Sequence, residues 1–205
     1  MNSNDSLVWY VSYGSNMSSS RFSCYINGGQ PLNASRSYKG CRDSSPPVKS
    51  TTWVLPGSVV FGGTFYAWDP RGSGAALYVP SDYSASIARA WLISFQQFKD
   101  VIAQENGKEP GEFDNVLDPI FNEDLINSTI GNGPYNKIVY CGKYEGFPAF
   151  TFTTSLDFES IVLNAPSEAY LNCLAVGLAE TLGLSFGNAK NYLSSYPGAK
   201  TPRAV

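Results

Sequence analysis

The sequence of 205 residues contains no histidine. Without an imidazole it cannot form a Ser-His-Asp triad, a Cys-His nucleophile pair or a histidine-ligated zinc site. This excludes the hydrolases and deacetylases that depend on one of these arrangements. Any chemistry must therefore use carboxylates, tyrosines, hydroxyl groups, backbone amides or cysteine thiols.

Charge, cysteine and long apolar runs are also scarce. The net charge is −3 and no run of lysines or arginines occurs, so we expect no nucleic-acid partner. The apolar run at 7–11 is too short for a signal peptide or a membrane span, and we expect a soluble, cytoplasmic protein without a membrane partner. Because the four cysteines form no CxxC pair, reduced thiols are favoured over a zinc site, although an even number also permits two disulfides.

The length and the 43% hydrophobic content predict one folded domain over residues 1–205. Runs of β-branched and aromatic residues predict the strands, and capping residues with helical periodicity predict the helices. Strands are predicted at 8–13, 54–55, 59–68, 75–79, 88–93, 137–144 and 149–153, and helices at 18–27, 94–107, 166–183 and 185–195. This order predicts an α+β fold. The longest irregular segment, 107–134, is expected near the end of the second helix, where it could set specificity.

The second predicted helix carries a carboxylate in an unusual position. It begins with a capping box at Ser94, and its apolar residues recur at a helical spacing that leads on to Glu105. A carboxyl group facing the core at a helix C-terminus loses hydration and meets the negative end of the helix dipole, and both effects raise its pKa. Such a group suits general acid–base catalysis. The alternative, which spacing does not exclude, is that the helix frays after Ala103 and Glu105 points to water.

A turn of small residues follows the first predicted strand, in the segment Tyr13-Gly14-Ser15-Asn16-Met17. Such a turn can leave several backbone N–H groups pointing in one direction, where they bind a carboxylate or a developing oxyanion. A turn of this composition after a strand is also an ordinary structural feature.

Together, these segments resemble the γ-glutamylcyclotransferase-like family. The resemblance rests on WYVSYGSNM near the N-terminus, on ARAWLISFQQFKDVIAQENG, and on PSEAY with the following LNCLAVGLAETLGLS. These pieces occur in the family's order, and the stretch from CYINGG to GCRDSSPP is similar to a bacterial branch. One departure is Gln-Glu-Asn-Gly, where many relatives have Glu-Gly directly.

The resemblance implies a small mixed β-barrel flanked by helices, with a pocket at one mouth of the barrel. It implies a cofactor-independent and metal-independent cyclotransferase, in which the α-amine of a small-molecule γ-glutamyl substrate attacks its own γ-carbonyl. The products are 5-oxoproline and a free amine or amino acid. The catalytic residue would be Glu105, and the substrate-binding residues would be Tyr13, Gly14, Ser15, Asn16, Met17 and Tyr170.

The sequence also permits other roles for these residues and offers other candidate site residues. Without the resemblance, the two tyrosines are better explained as core aromatics, Tyr13 at the end of a strand and Tyr170 on the apolar stripe of its helix. An arginine fork suits a carboxylate, so Arg21 and Arg42 are further candidates, although most arginines are solvated. The competing carboxylates Glu109, Glu112 and Glu145 lie among turn residues, where exposure is expected.

Two other function classes also fit the residues. A non-catalytic module could use the same pocket to bind a small carboxylate. An amidase or acyltransferase could use a cysteine, although no histidine is present to activate its thiol.

Overall fold

The computed structural model describes residues 6–122 and 128–200, with only the backbone described at 120–122. The strands are β1 (Leu7–Ser12), β2 (Lys49–Phe65), β3 (Ser73–Ser94), β4 (Lys137–Tyr144) and β5 (Phe147–Thr153). The helices are α1 (Ser19–Asn27), α2 (Phe95–Glu105), α3 (Asp114–Asn122), α4 (Glu168–Leu182) and α5 (Phe186–Leu193). Short 3-10 helices lie at Ser15–Met17 and Phe158–Ser160.

The strands form one mixed sheet in the order β2-β3-β1-β5-β4. The central strand β1 pairs antiparallel with β3 and parallel with β5. The α+β class is therefore as predicted. The expected barrel is not closed in the described ranges, because β2 and β4 end the sheet and no ladder joins them.

Strand β1 is buried on both faces. Val8 and Tyr10 belong to one core cluster, which also contains apolar residues of α1 and α2. Trp9 and Val11 belong to a second cluster, with residues of α4 and α5. A strand covered on both sides has a continuous apolar sequence rather than an alternating one, and this explains the run at 7–11. The turn after β1 therefore emerges between two layers of helices.

The four short strands predicted between 54 and 93 are joined into two long strands. β2 and β3 pair antiparallel over almost their whole length, with a register shift between Pro56 and Gly57. Proline and glycine are tolerated in strands at such irregularities. A Cβ atom on Gly57 would collide with the backbone of Val79, so a glycine is required there. A Pro-Gly pair thus marks a bulge and not the end of a strand.

The helix starts of α2, α4 and α5 are confirmed. In each, the preceding serine accepts a hydrogen bond from a backbone N–H of the first turn, and the capping box at Ser94 is complete. Helix α3 was not predicted, since it lies within the segment 107–134 and contains Pro119. Its first residue, Asp114, is paired with Arg42 and Lys99 from other parts of the chain.

Among the described residues, no single helix is long and apolar enough to cross a membrane. Helices α4 and α5 meet that criterion only when they are counted together, and a bend of 116° separates them.

Candidate active site

A cavity of about 390 Å³ lies where the turn after β1 meets the end of α2. Six of the seven predicted site residues line it: Tyr13, Gly14, Ser15, Asn16, Glu105 and Tyr170. Met17 is not among the lining residues, because its side chain is only 1% exposed and packs in the second core cluster. Its predicted contact with a substrate is therefore not supported by its position. Gly107 and Pro134 also line the cavity, so both ends of the segment 107–134 lie at this site.

Glu105 is held at the cavity by a hydrogen bond from the turn. It is the last residue of α2 and is half-buried. Its Oε1 atom accepts a hydrogen bond of 2.9 Å from Nδ2 of Asn16. The helix thus continues through Glu105 and does not fray after Ala103, so the carboxylate is directed to the cavity rather than to open solvent.

The side chain of Asn16 is itself fixed from several directions. Its Nδ2 atom also donates to the hydroxyl of Tyr10 at 3.1 Å, which uses the second hydrogen of the amide group. Its backbone oxygen accepts a hydrogen bond of 2.9 Å from the indole of Trp91. Asn16 is 3% exposed. The sequence suggested only a backbone role for Asn16, and its side-chain contact with Glu105 was not foreseen because 89 positions separate the two residues.

In the described part of the chain, the turn after β1 leaves three consecutive backbone N–H groups without a protein acceptor. It is closed by hydrogen bonds from Met17 N to Gly14 O and from Ser18 N to Ser15 O, both 3.0 Å. Within residues 6–122 and 128–200, the N–H groups of Gly14, Ser15 and Asn16 donate to no acceptor. All three residues line the cavity. These N–H groups are therefore free to bind an anionic oxygen of a ligand.

The two predicted tyrosines have structural hydrogen bonds as well as places in the cavity wall. The hydroxyl of Tyr13 donates to the carbonyl of Phe152 at 2.9 Å. The hydroxyl of Tyr170 accepts a hydrogen bond of 3.1 Å from the backbone N–H of Ala76, which leaves its own hydrogen without an acceptor in the described part of the chain. Tyr170 can therefore donate to a ligand, whereas the proton of Tyr13 is already used.

Burial keeps these phenols neutral. It raises the pKa of Tyr13 and Tyr170 well above the ordinary value, and it does the same for Tyr10 and Tyr135, which also line the cavity. The negative charge of Glu105 raises all four pKa values further. The tyrosines are thus hydrogen-bond donors near neutral pH, and Glu105 is the only carboxylate among the described residues that line the cavity.

The two arginine candidates have different environments. Arg21 lines the cavity and is 3% exposed. Arg42 lies elsewhere and binds the carboxylates of Asp100 and Asp114 at 2.8 and 2.7 Å. It is therefore committed to structural ion pairs, and Arg21 alone of the two faces the site.

None of the competing carboxylates lines the cavity. Glu109 pairs with Lys39 at 2.7 Å, and both side chains are more than half exposed. Glu112 and Glu145 also pair with lysines and are 43% exposed. These glutamates form surface ion pairs, as their turn-rich surroundings suggested.

The four cysteines are free thiols and none of them lines the cavity. Burial raises the pKa of Cys41 well above its usual range, and it raises the pKa values of Cys141 and Cys173 to about 12. These three thiols are therefore protonated near neutral pH and poor nucleophiles. Within the described ranges, no group of three or more cysteine, aspartate or glutamate residues is arranged to hold a metal ion.

No family model matches the chain. A curated relative, histone deacetylase 5 of Arabidopsis thaliana, is 33% identical over 199 residues. That alignment covers 91% of this chain but only 30% of the relative, so the chain spans less than a third of the relative's length. This relative is a plant protein, and the comparison gives no support to the bacterial branch expected from the sequence.

The chain also superposes on several solved structures, each at low sequence identity. A gamma-glutamyl cyclotransferase superposes with a TM-score of 0.47 at 12% identity, and an uncharacterized human protein with 0.46 at 13%; each comparison covers 97% of this chain and 94% of the other. A yeast gamma-glutamyl cyclotransferase specific to glutathione superposes with 0.35 at 11% identity, covering 94% of this chain and 89% of the other. With TM-scores below 0.5, these similarities carry no argument about the fold or the activity of this chain.

Proposed function

We propose that the cavity is the active site of a cofactor-independent γ-glutamyl cyclotransferase. The observation that supports this most directly is the placement of the Glu105 carboxylate. Asn16 holds it on the same cavity as the free N–H groups of Gly14, Ser15 and Asn16. A proton acceptor and an anion-binding backbone on one small cavity are what an intramolecular acyl transfer requires.

In the proposed reaction, Glu105 moves a proton between two nitrogens. Its carboxylate accepts a proton from the α-ammonium group, and the freed amine attacks the γ-carbonyl carbon to close a five-membered ring. As the bond to the leaving nitrogen breaks, Glu105 donates that proton to it. The attacking nitrogen loses its second proton to water, and the released amine takes one from water. The products are 5-oxoproline and an amine or amino acid.

The free N–H groups would stabilise the charge that develops on the carbonyl oxygen. Attack on the γ-carbonyl converts it to an oxyanion, and preorganised donors in an enclosed site stabilise that charge. One such donor typically contributes about 10²- to 10³-fold in kcat. The N–H groups at 14–16 are donors of this kind, and the hydroxyl of Tyr170 can add another.

The small cavity would also hold the substrate in a folded conformation. Its volume of about 390 Å³ lies at the small end of the range for ligand sites. A γ-glutamyl group confined there has its amine near its own carbonyl carbon, and intramolecular reactions in good geometry reach effective molarities of roughly 10⁵ to 10⁸ M. None of these steps requires an imidazole.

The test is to incubate the protein with γ-glutamyl-alanine and with γ-glutamyl-ε-lysine and to quantify 5-oxoproline. Formation of 5-oxoproline above the uncatalysed rate supports the proposal, and the relative rates show which class of leaving amine is preferred. Absence of 5-oxoproline from every γ-glutamyl compound tested would refute it.

The second candidate is a non-catalytic module that binds a small carboxylate in the same cavity. It is favoured by the buried guanidinium of Arg21, which can bind an anion whether or not a reaction follows. Calorimetry with 5-oxoproline and with glutamate distinguishes the two functions, because binding without turnover of any γ-glutamyl compound supports the binding module.

A further inference from the structure

Arg21 is a buried charge without a carboxylate partner in the described part of the chain. It lies on α1, shortly after the turn, and is 3% exposed. No aspartate or glutamate among the described residues forms an ion pair with it within 4.0 Å. A buried charge is costly unless it is paired, because burial removes its hydration.

The protein satisfies only part of the guanidinium group. Its Nη2 atom donates to the hydroxyls of Tyr25 and Tyr38 at 2.9 and 2.8 Å. Its Nε and Nη1 atoms are buried and have no acceptor in the described residues. Since Nε carries one hydrogen and Nη1 carries two, three of the five N–H hydrogens are unused.

The aromatic surroundings fix the group in place. The guanidinium carbon lies 4.3 Å from the ring centroid of Tyr25, 4.2 Å from that of Tyr38 and 5.6 Å from that of Trp68. Tyr38 and Trp68 also line the cavity that contains Glu105. Although burial acts to lower the pKa of Arg21, the neighbouring tyrosines and Glu105 outweigh it and the pKa is raised, so the group stays cationic.

We propose that Arg21 binds the α-carboxylate of the γ-glutamyl group, which leaves the N–H groups of Gly14, Ser15 and Asn16 for the oxyanion. The identity of the ligand rests on the proposed function, whereas its negative charge follows from the buried guanidinium alone. A planar guanidinium with unused donors matches a carboxylate well, and hydrogen bonds between two charged groups are among the strongest in proteins. Substrates that lack a free α-carboxylate are therefore poor ligands of this site.

The ligand itself provides the first test. Calorimetry compares the binding of 5-oxoproline with that of its carboxamide, 5-oxoprolinamide, to the unmodified protein. The structure predicts that the carboxamide binds about tenfold to 100-fold more weakly, as expected for the loss of a hydrogen bond between charged groups. Equal binding of the two compounds, or no binding of 5-oxoproline, would overturn the assignment. This comparison requires no variant and so does not depend on whether a variant folds.

Variants then test whether Arg21 is the residue responsible for the preference for the carboxylate. Arg21→Met removes the charge, and we expect it to bind 5-oxoproline as weakly as the carboxamide while its affinity for the carboxamide stays the same. Arg21→Lys keeps the charge and should recover part of the preference. The matched control is Arg71→Met, because the side chain of Arg71 is 82% exposed and lies outside the cavity. If Arg21→Met still preferred 5-oxoproline over its carboxamide as strongly as the unmodified protein does, Arg21 would not be the group that binds the carboxylate.

The outcomes separate this inference from the proposed function. If the protein prefers 5-oxoproline through Arg21 but converts no γ-glutamyl compound, the carboxylate site stands and the cyclotransferase function is refuted. If the protein forms 5-oxoproline equally well from substrates with a free and with an amidated α-carboxylate, the cyclotransferase function stands and the role of Arg21 is refuted.

Discussion

Helix α4 sets the position of the turn after β1, and Gly177→Ala tests this. Gly177 faces the turn so closely that an added Cβ atom would lie 2.7 Å from the backbone carbon of Met17, and nearer still to the backbone nitrogen of Ser18. Ordinary contact distances are roughly 3.5 Å. The turn or the helix must therefore shift by about 1 Å, and Asn16 belongs to the part of the chain that would move.

This shift has a cost in stability and in activity. Overpacking of a buried site costs about 1–3 kcal/mol, which exceeds the gain of up to about 1 kcal/mol that alanine brings to a helix interior. We therefore expect Tm to fall by a few degrees. A displacement of about 1 Å in groups that orient the chemistry can lower kcat by about 100-fold, and Asn16 donates directly to Glu105.

The matched control is Gly187→Ala in α5. A Cβ atom there would have no neighbour within 4 Å, so the change adds helix propensity without a collision. Thermal unfolding and the rate of 5-oxoproline release are measured for both variants. Equal stability and equal activity of Gly177→Ala and Gly187→Ala would show that α4 does not position the turn.

Three further predictions follow from individual contacts. Burial raises the pKa of Cys173 to about 12, so iodoacetamide at pH 8 should alkylate it on the order of 1,000-fold more slowly than free cysteine, as followed by mass spectrometry. Hydrogen bonds from Arg42 lower the pKa of Asp114. The ionised Asp114 carboxylate therefore stabilises the fold above about pH 4, and this stabilisation is lost as the pH falls further. Urea unfolding should show that Asp114→Asn loses less stability on acidification than the unmodified protein does. Tyr170→Phe leaves the buried N–H of Ala76 without its acceptor and should lower the free energy of unfolding by about 1–3 kcal/mol, together with kcat.

The parts of the fold that depend on local chemistry could be predicted from the sequence. The capping box at Ser94 and the helical spacing predicted α2, since both signals act within a few residues, but they left open whether the helix reaches Glu105 or frays after Ala103. The placement of Glu105 on the same cavity as the turn came from the family resemblance and not from spacing. The structure bears out that placement, and the catalytic role of Glu105 remains a prediction.

Features that depend on contacts distant in sequence could not be predicted. Helix α3 contains Pro119 and gave no helix signal, but its first residue, Asp114, is anchored by ion pairs with Arg42 and Lys99. Lys99 is itself 1% exposed, which its charge and its place outside the helical spacing of the apolar residues did not indicate. The burial of Arg21 likewise depends on the rings of Tyr38 and Trp68, which come from outside α1, as well as on Tyr25 one turn further along that helix.

The role of Glu105 in proton transfer during ring closure is tested by kcat for 5-oxoproline release by Glu105→Gln. Glutamine has the same shape and can still accept the hydrogen bond from Asn16, but it cannot take up a proton near neutral pH. We predict a fall in kcat of about 10²- to 10⁴-fold with Tm nearly unchanged. The control Glu109→Gln, whose side chain is 57% exposed and lies outside the cavity, should keep full activity. Unchanged kcat in Glu105→Gln would show that Glu105 does not transfer the proton.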